Sequence, residues 1–391
     1  MGKLMRCRVR RLLQLPLWPV ATARGSDTAR LFEAVTPVER TANIDLSTWR
    51  GEKASGARDL SVRLFAGVLV ACALLSAAFA SWLPLQVSVV TVFLFAGPHN
   101  WFELRYFLMR LPVRFGKSRN FFLTAFAGIA FLTLTYVSLP AWYSFGIVPD
   151  RFWPNILATW NTLLLLWIAV LVWLRGKNKT RRNWAWATWA FPLALALCSF
   201  NWLAPEFFSL GIVYLHPLIA LSFLDRHLAR TRPEWLRAYR SCLCLLPLLL
   251  LGMFWQLTRT PALPDDNGLF WRITQHSGAQ LLPNVSSHAL VAVHVFLEML
   301  HYGVWLLALP LIALPGKARQ RDRIWNVMSV PVARHPRGFP KLVASTLALG
   351  VFLVAVLWFG FSFDYATTRD VYFTLAIAHV LAEAPFLLRM L

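Results

Sequence analysis

Val293-His294-Val295-Phe296-Leu297-Glu298-Met299-Leu300-His301 lies inside an apolar run, about residues 286–314, long enough to cross a bilayer as one helix. On a helix, offsets of four and then three residues bring His294, Glu298 and His301 to one face. Burying three such groups in hydrocarbon is costly, so a functional site is the default reading. The same device recurs in two other apolar runs, where His99 precedes Glu103 and His379 precedes Glu383 by four residues. All three glutamates read as lying deep in the membrane therefore follow a histidine by one turn. The whole chain of 391 residues holds only nine His.

Working outward, the composition fits this reading. Hydrophobic residues make up 58% of the chain and charged residues 15%. A soluble chain of this length needs far more polar surface. The net charge of +21 falls in short clusters between apolar runs, and not as a patch or stripe that would bind nucleic acid. Nineteen Trp and 29 Phe suit interfacial helix ends and aromatic packing. Cys7, Cys72, Cys198, Cys242 and Cys244 show no metal or redox spacing.

Residues 1–60 read as a polar, basic cytoplasmic arm, and residues 61–391 as a transmembrane helical domain. Ten spans are expected near 62–82, 87–109, 120–140, 153–174, 184–203, 207–224, 241–257, 286–314, 341–361 and 372–390. Pro98, Pro192, Pro217, Pro247, Pro310 and Pro385 fall within spans and predict kinks. Basic residues crowd the arm and the loops at 110–119, 175–182, 225–240 and 317–341, while the alternate loops carry few. This asymmetry puts both termini in the cytoplasm, in a bacterial inner membrane. The second, sixth, eighth and tenth spans then all run from the outer to the inner face. These spans carry His99, His216, the His294/Glu298/His301 triplet and His379, all in one mid-membrane layer.

The expected architecture is thus an all-α polytopic bundle of about ten transmembrane helices around a mid-membrane His/Glu metal site. Imidazole and carboxylate suit iron and other borderline divalent metals. Glu298 and His301 have the Glu-x-x-His spacing of di-iron bundles. His99, His216, His294, His301 and His379 are the candidate ligands. Glu103, Glu298 and Glu383 are candidates either as further ligands or as partners that orient a ligand imidazole. Shared coordination requires the imidazoles of His99, of His294 or His301, and of His379 to reach within about 5 Å of a common point. A single His in a membrane helix is more often a helix–helix hydrogen bond, and only the set of pairs reverses that preference. A proton-coupled transporter with a His/Glu relay uses the same residue types, and so does an electron carrier with two facing His on haem. His227 and His335 fall in basic inner loops as solvated residues, His276 and His288 near the outer face as polar caps. Arg105 is expected to snorkel inward or to meet Asn161 or another polar group.

Gly97-Pro98-His99-Asn100-Trp101-Phe102-Glu103 resembles the opening motif of the Brp/Blh family of bacterial carotene dioxygenases, Gly-x-Pro-His with an acidic residue four beyond the His. Ile377-Ala378-His379-Val380-Leu381-Ala382-Glu383-Ala384-Pro385-Phe386 is similar to the family's last His helix. His216 matches the lone His between them, and His294 with Glu298 or His301 matches the family's His pair. The acid here is Glu where the family has Asp, and Asn100 and Trp101 replace small residues. The resemblance implies a membrane enzyme that holds non-haem iron by histidines and splits the central double bond of β-carotene with O₂ to give retinal. The wider expectation is a membrane metal-dependent oxidoreductase with one or two iron ions, with O₂ as co-substrate. Its substrate is a carotenoid, isoprenoid or acyl lipid, and an electron donor is a further partner for some of these reactions.

Overall fold

The computed structural model describes residues 46–177, 187–264, 268–312 and 326–391. The arm up to residue 45, the basic runs at 178–186 and 313–325, and Asp265 and Asp266 lie outside the described residues. Ala54–Leu391 forms one compact unit. Of Met1–Lys53 only residues 46–53 are described, and these are helical.

Among the described residues there are helices and no strands. The chain runs α1 (Leu46–Trp82), α2 (Pro84–Arg110), α3 (Arg119–Ser144), α4 (Trp153–Lys177), α5 (Ala190–Leu203), α6 (Pro205–Thr231), α7 (Pro233–Leu243), α8 (Leu245–Leu257), α9 (Leu269–His276) and α10 (Ser287–Gly303). It ends in α11 (Pro340–Phe363) and α12 (Tyr365–Met390). Eight helical segments are long and apolar enough to cross a membrane. Ala187–Leu203 is apolar but shorter. The remaining expected span, the second, is α2, whose 27 residues are long enough and whose polar residues (His99, Asn100, Glu103 and Arg105) set it apart from the eight. The protein is an all-α polytopic membrane protein.

Prolines set the boundaries. Pro84, Pro205, Pro233 and Pro340 each sit in the first turn of a helix, where a missing N–H leaves no carbonyl unpaired. The expected basic loop at 225–240 is instead almost wholly helical. α6 continues to Thr231, and α7 starts at Pro233 after a break at Arg232, as the residue before a proline prefers. The expected kink at Pro247 appears as the α7/α8 junction at Cys244, because Pro247 cannot donate to the carbonyl of Leu243. Pro192 falls in the first turn of α5. Beyond Gly303 the helix widens to a π turn at Val304–Ala308 before Leu309–Ile312, which contains Pro310.

Four helices, α2, α6, α10 and α12, meet at the centre. Downstream of each histidine they pack on one another: Phe107 stacks on Phe386 at 4.3 Å between centroids, and Tyr106 meets Phe223 at 6.1 Å and Trp305 at 5.5 Å. Upstream, Tyr372 Oη donates to Ala96 O at 3.5 Å and Tyr214 Oη to Leu290 O at 3.1 Å. The order is the same on all four, so they run parallel. Offset aromatic contacts of this kind add about 0.5–1.5 kcal/mol each beyond burial, and this layer closes one end of the site.

The remaining helices cover these four. Ala77 and Ala80 of α1 and Met253 and Leu257 of α8 pack on Val291, Ala292 and Val295 of α10. Trp101 of α2 donates its Nε1–H to Leu347 O of α11 at 3.1 Å. α3 and α4 are tied by Trp167, whose Nε1–H reaches Thr124 O at 3.0 Å across Gly128. A Cβ at Gly128 would stand 1.9 Å from that nitrogen, so only glycine admits the close approach. Asn161 of α4 and Asn201 of α5, both fully buried, join at 2.8 Å.

Candidate metal centre

α2 supplies His99 and, one turn later, Glu103; α6 supplies His216; α10 supplies His301; α12 supplies His379 and, one turn later, Glu383. Single ligand atoms of His99, Glu103, His301 and His379 lie within 4.8 Å of one another, as do those of His216, His301 and Glu383. The rings close on one another: His301 stands 4.7 Å from His216 and 5.2 Å from His99, and His379 stands 5.1 Å from His216 and 5.3 Å from His99. Nε2 of His216 and Nε2 of His379 are 3.3 Å apart. Two imidazole ligands at about 2.0–2.1 Å from one ion and roughly 105° apart have that separation.

Hydrogen bonds orient two of these rings. His99 directs Nδ1 at Phe95 O, 2.9 Å away; a carbonyl only accepts, so Nδ1 carries the proton and Nε2 keeps its lone pair. His216 directs Nδ1 at Glu383 Oε2, 3.0 Å away, and the carboxylate likewise leaves Nε2 as the acceptor. Each lone pair so defined belongs to a ring facing the common centre.

Other atoms of the cluster, Glu103 Oε1 and Oε2, His301 Nδ1 and Nε2, His379 Nδ1 and Glu383 Oε1, are buried without a hydrogen-bond partner. An unpaired buried polar group costs about 1–3 kcal/mol, more for a charge. An imidazole offers one lone pair to an ion, so one nitrogen each of His301 and His379, with the Glu103 carboxylate, forms a ligand set that fits a cation.

His294 and Glu298 stand apart from this set. They share the helical face of His301, but seven residues along α10 place His294 roughly 10 Å up the axis. A shared face does not give a shared level. His294 Nδ1 lies 3.7 Å from Glu298 Oε2, and its ring lies 5.1 Å from His276 and 5.7 Å from Tyr214. His276, expected as an outer cap, comes from α9 to line the cavity beside His294. Of the two alternatives left open on α10, it is His301 that joins His99 and His379.

That cavity, about 290 Å³, is walled by Tyr136, Trp160, Ile212, Val213, Phe373 and Ile377, among others. His99, His216, His301 and His379 all border it. Tyr302 lies 4.6 Å from His99 between centroids.

Among the other polar residues, His227 and Arg369 depart from expectation, while His288 and Arg105 meet it. His227 is buried, and Arg110 donates to its Nδ1 at 2.9 Å. The extension of α6 through the expected loop explains this. His288 does act as a cap, between Nε2 and Ser81 O at 2.8 Å. Arg105 meets Ser329 Oγ at 2.9 Å, while Asn161 is paired with Asn201. Arg369 is 2% exposed, with its guanidinium 4.6 Å over Phe373. The span expected at 372–390 leaves Arg369 outside the membrane helix, whereas α12 begins at Tyr365 and includes it. The one signal for it was Asp364, whose side chain accepts from Thr367 N at 3.0 Å as the helix cap.

No family model matches this chain, and neither a curated protein nor a solved structure matches it.

Proposed function

We propose that this protein is an integral-membrane non-haem iron oxygenase acting on an apolar lipid, a carotenoid, isoprenoid or acyl chain. One observation carries the reading: four histidines and two glutamates from four parallel helices gather in two overlapping groups that share His301, with the four histidines at the wall of a cavity of mixed aromatic, aliphatic and polar lining. Iron held by imidazoles and a carboxylate supplies dioxygen activation when bound. The chain's own groups do the rest. His99, His216, His301 and His379 present ring nitrogens, and Glu103 presents a carboxylate to neutralise the cation. Glu383 holds His216 in its Nδ1–H form. Tyr136, Trp160, Phe373 and Ile377 offer surface to a hydrocarbon and keep water away from it.

The reaction balances in two ways. Splitting one C=C with both atoms of O₂ gives two carbonyl groups and needs no outside electrons. Hydroxylation or desaturation takes two electrons from a donor, a further partner in that case. The resemblance at Gly97–Glu103 and Ile377–Phe386 supports the first route. A haem carrier needs a flat slot between two axial ligands, whereas here imidazoles approach one another from four helices. Charge asymmetry between loops supports cytoplasmic termini, and the resemblance to a bacterial family supports a bacterial inner membrane.

Expression in a carotenoid-producing bacterium, followed by lipid extraction and mass spectrometry, tests the reading. Retinal assigns carotenoid cleavage, and oxygenated or desaturated lipids assign the wider oxygenase. Unchanged lipids together with metal-free purified protein overturn the reading in favour of proton-coupled transport.

A further inference from the structure

A second cavity of about 660 Å³ lies beyond the aromatic layer that floors the candidate centre. Tyr106 and Trp305 border it, three residues after Glu103 and four after His301. Its polar lining is one-sided. Arg105, Arg110 and Arg334 face it together with His227, Asn326 and Ser329, and no Asp or Glu is among its described lining residues.

Two of the arginines are held in place. Arg105 donates to Ser329 Oγ at 2.9 Å. Arg110 lies 5.0 Å over the Tyr106 ring and donates to His227 Nδ1 at 2.9 Å. A guanidinium has no acceptor, so His227 Nδ1 must accept and its proton must sit on Nε2. His227 is 4% exposed, and Nε2 has no hydrogen-bond partner. Three arginines and a histidine thus border one cavity, a one-signed lining that suits an oxyanion. Arginine forks match phosphate oxygens in pairs. The other wall is apolar, with Phe102, Met109, Leu309 and Met328. Arg110 is the last residue of α2, so the cavity opens at the level where a membrane helix ends and lipid phosphates lie.

We infer that this cavity is a phosphate-binding site, taking the phosphate group of an anionic lipid or a free phosphate. The proposal is independent of the metal chemistry. Full-length purified protein in a neutral glucoside detergent is titrated with dioleoyl phosphatidic acid, with dioleoylglycerol and with inorganic phosphate. Binding is read by native mass spectrometry and by the unfolding midpoint. Phosphatidic acid should bind one per chain and raise the midpoint by several degrees, and dioleoylglycerol, with the same tails, should not. A like shift with inorganic phosphate alone identifies a free anion as a sufficient ligand; none with phosphate identifies the lipid headgroup. Arg110→Gln with Arg334→Gln should weaken the binding at least tenfold and leave the metal content unchanged. Should that variant fail to fold, Arg334→Gln alone, at an exposed position, should still weaken binding several-fold. Equal responses to phosphatidic acid and dioleoylglycerol with none to phosphate overturn the proposal, as does unaltered binding in the arginine variants.

Discussion

Changing His301 to Ala should remove stoichiometric metal from the purified protein, the largest loss expected of any single substitution. His301 belongs to both groups of ligand atoms, and both of its ring nitrogens are buried without partners. Its ring closes on His216 at 4.7 Å and on His99 at 5.2 Å, slightly nearer to each than the ring of His379 does. With this ligand gone the remaining groups no longer surround the ion, so the loss should exceed the roughly 10–100-fold expected when only a partner that orients a ligand is removed. His294→Ala is the matched control. It deletes an imidazole from the same face of α10, roughly 10 Å away along the axis, and should retain the metal. Elemental analysis of the two variants at equal monodispersity checks this. Equal loss from both would place His294 in the coordination set and contradict the geometry.

The second large effect concerns the two glutamates, which should behave differently. Glu383 accepts from His216 Nδ1–H at 3.0 Å, so Glu383→Gln keeps an acceptor oxygen but loses the charge that fixes the ring. Metal affinity should fall about 10–100-fold, with full occupancy restored at high metal. Glu103 has no histidine on either oxygen and falls within the four-residue group. Glu103→Gln removes a negative ligand outright, so occupancy should stay low at any added metal. Chelator competition separates the outcomes. An unchanged affinity in Glu383→Gln would remove its orienting role.

The sequence made the helical content and the three His/Glu pairs readable because both follow from strong local signals. Long apolar runs demand helices in hydrocarbon, and an i, i+4 pair on one face survives small errors in helix boundaries. Level along the axis is less legible. His294, Glu298 and His301 share a face, but only tertiary packing decides which of them meets α2 and α12. Boundaries failed where charge and amphipathic helix look alike. The segment at 225–240 reads as a basic loop, yet α6 and α7 run through it and bury His227 and Tyr239. Arg369 was lost for the same reason, since a cation near a helix end reads as solvated. α9 is eight residues long, too short to show a period, and so His276 could not be brought to His294 from pattern alone. His216 has no carboxylate one turn away on its own helix; its partner, Glu383, is 167 residues away.

The most direct measurement is the metal content and visible spectrum of wild-type protein purified from iron-replete cells in neutral detergent. The convergence of His99, His216, His301 and His379 with Glu103 predicts iron at about one ion per chain, or two if the overlapping groups fill separately, and no Soret band. Protein that folds as a monodisperse species, carries no first-row metal and takes up none when iron is added would contradict the metal centre.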